Sequence, residues 1–174
     1  MALVLRPFTP EDQDVCLEAH EELATEGFDF LWGYEPSMTW DEYLTMVQDY
    51  AEARNVPEDR VPAALLLADV DGDVVGRISV RFALNDFLFA RGGHIGYAVR
   101  PVFRRRGHAT EILRQGLDLA RQHGVGSILV TCDDENIASA KVIERCGGVF
   151  ESMFVDDDTR IRRYLIAKVE GPAT

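Results

Sequence analysis

The run from residue 94 to residue 122 constrains the fold more than any other part of the chain. A short apolar stretch, HIGYAV, leads into RPVFRRRGHAT, where four of the seven positions from 100 to 106 are arginine, and then into TEILRQGLDLARQ. In the last stretch Ile112, Leu113, Gly116, Leu117 and Ala120 recur at helical spacing, and Gly124 stands where a helix stops. A strand, a basic loop and a helix in that order make an anion site. The loop and the first helical turn present unpaired N–H groups, and the helix dipole adds about half a positive charge. Gly107 leaves room for a close backbone approach, small Ala109 lets the helix begin nearby, and arginine forks supply bidentate contacts. On this run alone, a phosphate-bearing ligand and a solvated basic loop both remain open.

The basic run is local. The 174 residues carry 30 acidic and 18 basic side chains, a net charge of -12 that repels nucleic acid and anionic membrane. The length fits one domain, 1–174, and a composition 47% hydrophobic and 28% charged excludes disorder. The opening MALVLRPFTPEDQ turns polar too early for a signal peptide, and no stretch approaches the roughly 20 apolar residues of a membrane span, so a cytoplasmic protein is expected. Cys16, Cys132 and Cys146 show no CxxC spacing, which fits reduced, buried thiols better than a disulfide framework, and no metal site is expected.

The remaining elements follow from local signals. Ala2 to Pro7 reads as a strand, Thr9-Pro10 opens a helix running toward Gly27, and Thr39-x-x-Glu42 forms a capping box before a second helix. Between these helices lies the aromatic segment FDFLWGYEPSM, whose Phe28, Phe30, Trp32 and Tyr34, with Trp40, serve as core or dimer contacts. Ala63–Asp69 and Val74–Phe82 flank VDGD, a hairpin signal, and His94–Val99 is a further strand. Ser127–Cys132 reads as a buried strand, Ile137–Cys146 as a helix, and Val149–Val155 with Ile161–Lys168 as a hairpin turning at DDDT. The order β-α-α-β-β-β-α-β-α-β-β predicts an α+β fold with a mixed sheet.

The loop lacks the GxxxxGK[ST] of a nucleotide triphosphate site, and no GxGxxG follows the first strand, which leaves coenzyme A as the phosphate ligand. The run HIGYAVRPVFRRRGHATEILRQGLDLA, with Arg104-x-x-Gly107-x-Ala109, resembles the central motif of the GNAT superfamily of acetyltransferases. The later DDENIASAKVIERCGGVFES is similar to the element that follows it in that superfamily, where an Asn opens a helix ending at Gly. The combination with GRISVRFALND further resembles a group of bacterial acetyltransferases within it. The resemblance implies a mixed, mainly antiparallel sheet of about seven strands flanked by about four helices, and acetyl-CoA as cosubstrate without a metal. It places acetyl-CoA between splayed strands 94–99 and 127–132. Backbone groups of Val99 would meet the pantetheine and acetyl carbonyl. Arg104, Arg105, Arg106, Gly107, His108, Ala109 and Thr110 would wrap the pyrophosphate, with Arg100 and Arg106 the arginines best explained as solvated charge. Asn136 would contact the pantetheine or order the loop, with Ser139 beside it, although Asn136 serves equally as a helix cap and Ser139 as a solvent-facing helix residue.

The activity implied is direct acetyl transfer from the thioester to a primary amine of a small molecule or peptide. The family often has a Tyr seven residues after the Asn as general acid, and here Ile143 stands there. A thiol of pKa about 8.5 makes departure without that acid tolerable. His94 and Asp133 are the candidate bases, and the acidic run Asp133-Asp134-Glu135 points to a cationic acceptor. A non-catalytic acyl-CoA-binding sensor is the alternative, and an acidic interaction domain without cofactor is a third reading. Dimers are common in the family, so a homodimer is an expectation by analogy.

Overall fold

The computed structural model describes residues 2–167. The end of the last expected strand, at Lys168, lies outside them. The elements follow the expected order: β1 Val4–Arg6, α1 Gln13–Ala24, α2 Trp40–Ala51, β2 Ala63–Val70, β3 Asp73–Arg81, β4 Ile95–Val99, α3 His108–Gln122, β5 Ile128–Asp133, α4 Ile137–Arg145, β6 Val149–Asp156 and β7 Thr159–Ile166.

Caps and turns set the boundaries. Thr39 Oγ1 accepts the Glu42 N–H at 3.3 Å and the Glu42 carboxylate accepts the Thr39 N–H at 2.8 Å, closing the box that starts α2. A similar exchange at Thr9 and Asp12 shapes a 3-10 turn, Pro10–Asp12, so the first α-helix begins later than its proline implies. Asp71 and Gly72 both take positive φ, as a tight hairpin between β2 and β3 demands. The closing hairpin turns at Asp157-Asp158, and both its strands run further into DDDT than expected.

The seven strands lie in the order β1-β2-β3-β4-β5-β7-β6. Every neighbouring pair is antiparallel except β4–β5, which is parallel. Each face of the sheet is covered. On one side Ile78, Val80, Ile95, Val99, Ile128 and Val130 meet α3 and α4 through Ile112, Leu113, Leu117, Ala140 and Ile143. On the other, Leu65, Leu67 and Val74 meet α1, α2 and the aromatic segment through Cys16, Leu23, Phe30, Leu31 and Tyr43. Phe30 and Trp40 of the aromatic set are core residues.

Gly76 marks the tightest point of the sheet, where a β-carbon would stand 2.2 Å from the Ala98 carbonyl oxygen. A backbone atom held in the β3–β4 ladder has no rotamer to escape into. Gly76→Ala is therefore expected to cost about 1–3 kcal/mol, in the range of overpacked cores. Thermal unfolding checks this as a fall of several degrees in Tm, and an unchanged Tm contradicts the packing described.

Candidate active site

A cleft opens where β4 leaves β5. The parallel pairing is confined to Ile95 and Val130. In the β3–β4 ladder Arg81 donates to the His94 carbonyl and Arg100 to the Val75 carbonyl, so the even-numbered residues of β4 exchange bonds with β3. The peptide groups of Ile95, Tyr97 and Val99 therefore face β5. Ile95 meets it, and Tyr97 and Val99 face the gap. Across the gap, Asp134 donates to Arg160, so Thr131 and Asp133 turn their peptide groups away from β7 toward β4.

At the C-terminal end of β4 the chain enters the arginine loop, which reaches the N-terminus of α3. Arg105 and Gly107 both have positive φ, of 64° and 85°. Left-handed residues at the turns of a loop are the backbone form in which N–H groups can converge on an anion. Gly107 is needed for this conformation and not for space, since a β-carbon there would meet nothing within 4 Å. Gly107 C=O takes the N–H groups of Thr110 and Glu111, which leaves those of His108 and Ala109 at the helix start. Thr110 thus has its hydroxyl to offer a ligand. A hollow of about 370 Å³ beside the loop is lined by Ala2, Leu3, Arg106, Gly107, His108 and Glu111.

The structure separates the four arginines. Arg105 and Arg106 are exposed and form no ion pair among the described residues. Arg104 is committed within the protein, with its Nε donating to the Val99 carbonyl at 3.0 Å and its Nη atoms clasping Glu26 at 2.9 and 2.6 Å. It sets the loop against β4, and it takes the Val99 carbonyl while leaving the Val99 N–H. Arg100 corrects the expectation of solvated charge: it is buried, and it donates to Glu22 at 2.9 and 2.8 Å and to Glu18 at 2.8 Å. The two α1 glutamates lay 78 and 82 residues away in sequence, which is why the pairing was not visible there.

On the α4 side, Asn136 caps the helix by accepting the Ser139 N–H at 3.0 Å. The Ser139 hydroxyl lies 3.0 Å from the Tyr97 hydroxyl. Ile143 is fully buried in the core. Tyr97 therefore brings a phenol from β4 to the first turn of α4, a hydroxyl pair that no local pattern in the sequence signals because its members lie 42 residues apart. The burial of Tyr97 raises its pKa, so it is a neutral donor. His94 is also buried. Its ring Nδ1 accepts the Leu129 N–H at 2.9 Å while its backbone N–H donates to the Leu129 carbonyl at 2.7 Å. The ring therefore pins β5 where the pairing begins, and burial lowers its pKa. Asp133 ends β5, exposed, with no ion pair among the described residues. Asp134 is neutralised by Arg160 at 3.1 Å and Arg162 at 2.7 Å, so the acidic run offers less negative charge than its sequence implies.

The other face of the sheet carries a cavity of about 550 Å³ whose walls include Trp32, Tyr50, Arg60, Ser79, Arg81 and Phe87. Arg77 anchors the aromatic segment beside it. It is buried, donates to the Phe30 carbonyl at 2.9 Å and to that of Asp29, and lies over the Phe28 ring. Trp32 stands edge-on to Tyr50, with centroids 5.0 Å apart. A π-helical turn, Leu88–Gly92, closes this side, held by Thr131 Oγ1 on Arg91 C=O and by Arg163 on Phe89 C=O.

A family model for the acetyltransferase (GNAT) domain matches residues 2–149. The chain belongs to the GNAT acetyltransferase family. Solved structures share its fold at low identity. One is yncA from Salmonella typhimurium, determined with its cofactor acetyl-CoA, at 17% identity and a TM-score of 0.64 over 99% of this chain and 98% of that one. A second is RimJ from Mycobacterium smegmatis in complex with CoA-disulfide, at 20% identity and a TM-score of 0.69 over 95% and 81%. A third is the spermidine N-acetyltransferase of Vibrio cholerae in complex with CoA and spermine, at 16% identity and a TM-score of 0.65 over 95% of each chain. No curated protein matches the sequence. No described helix is long and apolar enough to cross a membrane. The described residues hold no group of three or more metal-ligating side chains.

The Arg100 pair gives this site a pH signature. Its hydrogen bonds hold the Glu22 carboxyl below its ordinary 4.5, against the opposing effect of burial. A depressed carboxyl stabilises the fold fully above its unfolded pKa and loses that contribution as pH falls through the folded value. Arg100→Met, which keeps an apolar stem, is expected to lower Tm by several degrees at pH 7, with the deficit shrinking below about pH 4.5. Melting curves from pH 7 to 3 check this, and a deficit that grows in acid contradicts it.

Proposed function

We propose that the protein transfers an acetyl group from acetyl-CoA directly to a primary amine of a small molecule or peptide. The observation that carries this reading is the continuity of two unfilled surfaces: the peptide edge of Tyr97 and Val99 where β4 leaves β5, and the curled loop that follows it. One suits an extended amide-bearing arm and the other a pyrophosphate. The relatives solved with acetyl-CoA or CoA support the match.

In this reading Arg105 and Arg106, with the N–H groups of Gly107, His108 and Ala109 and the Thr110 hydroxyl, hold the pyrophosphate. The role of Arg104 is to fix that loop to β4. The Val99 N–H and the Asn136–Ser139 turn border the pantetheine. Acetyl-CoA supplies an activated thioester whose leaving group is a thiol. The Tyr97–Ser139 hydroxyl pair donates a proton to the departing sulfur, taking the place that Ile143 leaves vacant of function. Asp133 accepts the amine proton through water at the open end of β5. His94 holds the strands in position and is not asked to touch substrate.

Calorimetric titration with acetyl-CoA, followed by thiol release in the presence of amines, tests the assignment. The wild type is expected to bind acetyl-CoA and release thiol. Replacing both Arg105 and Arg106 by Ala is expected to weaken binding about 10- to 100-fold, since two exposed, solvent-screened phosphate contacts together contribute about 1.5–3 kcal/mol. Ser139→Ala is expected to lower kcat about 10-fold with little change in the KM for acetyl-CoA. That is below the usual range for an acid catalyst, because the thiolate is a tolerable leaving group. Binding without thiol release from any amine identifies the sensor instead.

A further inference from the structure

In an acidic chain the arginines without an acidic partner mark where anions are meant to go. Among the described residues these are Arg77, Arg81, Arg91, Arg105, Arg106 and Arg145. Arg105 and Arg106 belong to the pyrophosphate loop, and Arg145 lies in the last turn of α4, where the helix dipole favours it. Arg77 is spent on the carbonyls of Asp29 and Phe30. Arg91 lies against the rings of Phe87 and Phe154. Arg81 is left, and it lines the 550 Å³ cavity.

The surroundings of Arg81 are specific. One nitrogen, Nη1, donates to the carbonyls of Gly92 and Gly93 at 3.4 and 3.2 Å, which fixes the guanidinium in place. The described residues give Nε and Nη2 no hydrogen-bond partner, and neither is among the fully enclosed polar atoms that lack one. Both therefore stay accessible, on a side chain that lines the cavity. The one acid on the cavity wall, Asp59, is largely exposed and sits beside Arg60 at 3.7 Å. The burial of Arg81 lowers its pKa to about 10, with no carboxylate opposing the shift. A desolvated cation of this kind is costly unless a ligand supplies the counter-charge.

Its position links it to the chemistry. Gly96 is the first residue of β4 beyond the Ile95–Val130 pairing, and a β-carbon there would lie 3.3 Å from Ser79 Oγ and 3.7 Å from Arg81 Nη2. The guanidinium thus lies over the strand at the point where the cleft opens, on the face opposite α3 and α4. The volume suits a small ligand, since pockets for such molecules run from about 300 to 1,000 Å³.

We propose that the acceptor is a small amine bearing an acidic group, a carboxylate or its phosphorus-acid equivalent, and that Arg81 receives that group through its free Nε and Nη2 edge. The inference rests on the acetyl-transfer reading above and names its substrate class. It replaces the cationic acceptor expected from the Asp133-Asp134-Glu135 run. The acid anchors in the cavity while the amine reaches the gap between β4 and β5.

The test has two arms. Thiol release is measured with free L-amino acids and aminoalkyl phosphonates, with the carboxamides of the same amino acids, and with spermidine. Free acids or phosphonates are expected as substrates, with kcat/KM at least about 30-fold above that of the matched amides. Arg81→Gln is expected to raise the KM for the acid about 30-fold while leaving the KM for acetyl-CoA within about two-fold, and Arg81→Lys to recover part of the loss. Turnover of amides or spermidine at equal or better efficiency overturns the proposal. In the second arm, thermal shift with N-acetyl amino acids reads the anion site without catalysis. Stabilisation of the wild type that Arg81→Gln abolishes supports the anion site even where no amine releases thiol, a result that would sink the acetyl-transfer reading alone. No shift by any N-acetyl acid, together with no preference for acids, overturns the Arg81 assignment.

Discussion

The molecule depends on a pair of parallel strands that touch at one point and then part. A sheet strand that loses its neighbour leaves peptide N–H and C=O groups unpaired in the middle of a protein, a cost the rest of the fold must offset or a ligand must meet. The chain contains the opening on both sides. The β3–β4 ladder holds the even-numbered groups of β4, and the β5–β7 ladder holds those of β5. His94 ties the two strands at the apex through its ring and its backbone N–H. Arg104 and Arg100 then brace the far end of β4 against α1 and the turn beyond it. The gap is thereby a fixed feature of the scaffold, in the way a binding edge must be if it is to cost little reorganisation on binding.

Charge is distributed to match this geometry. With a net charge of -12, most arginines find carboxylates, and several of those pairs are structural: Arg6 with Asp12 and Asp69, Arg100 with Glu18 and Glu22, Arg162 with Asp134. Of the arginines left over, Arg105 and Arg106 at the curled loop before α3 and Arg81 in the cavity above β3 fall on opposite faces of the same cleft. An anionic donor entering from one side and an anionic acceptor from the other would each meet local positive charge on a protein whose overall field discourages large polyanions.

The helices, the hairpins and the strand–loop–helix core were legible in the sequence because each is a local pattern: the Thr39-x-x-Glu42 box, the Asp71-Gly72 turn, the helical spacing from Ile112 to Ala120. The family was legible for the same reason, since Arg104-x-x-Gly107-x-Ala109 and the Asn136 element are short and ordered. What the sequence did not reveal are contacts between distant residues. The four arginines of RPVFRRRGHAT look alike in one dimension, and only the fold shows that Arg100 and Arg104 are spoken for by α1 and the turn after it. Tyr97 and Ser139 are 42 residues apart and meet because the gap brings β4 against α4. Arg81 reads as an ordinary strand-end charge until its lack of an acidic neighbour is seen. The acidic run at 133–135 misleads for the converse reason, since β7 supplies the arginines that neutralise Asp134.

Residue-resolved amide hydrogen exchange, in the free protein and with saturating acetyl-CoA, tests the central claim most directly. The account predicts that the Gly96 and Ala98 amides, bonded to β3, exchange slowly in both states. The Tyr97 and Val99 amides exchange fast in the free protein and become protected when acetyl-CoA is added. Tyr97 and Val99 amides already protected without ligand, or indifferent to it, would show that β4 and β5 form no binding cleft and would contradict the account.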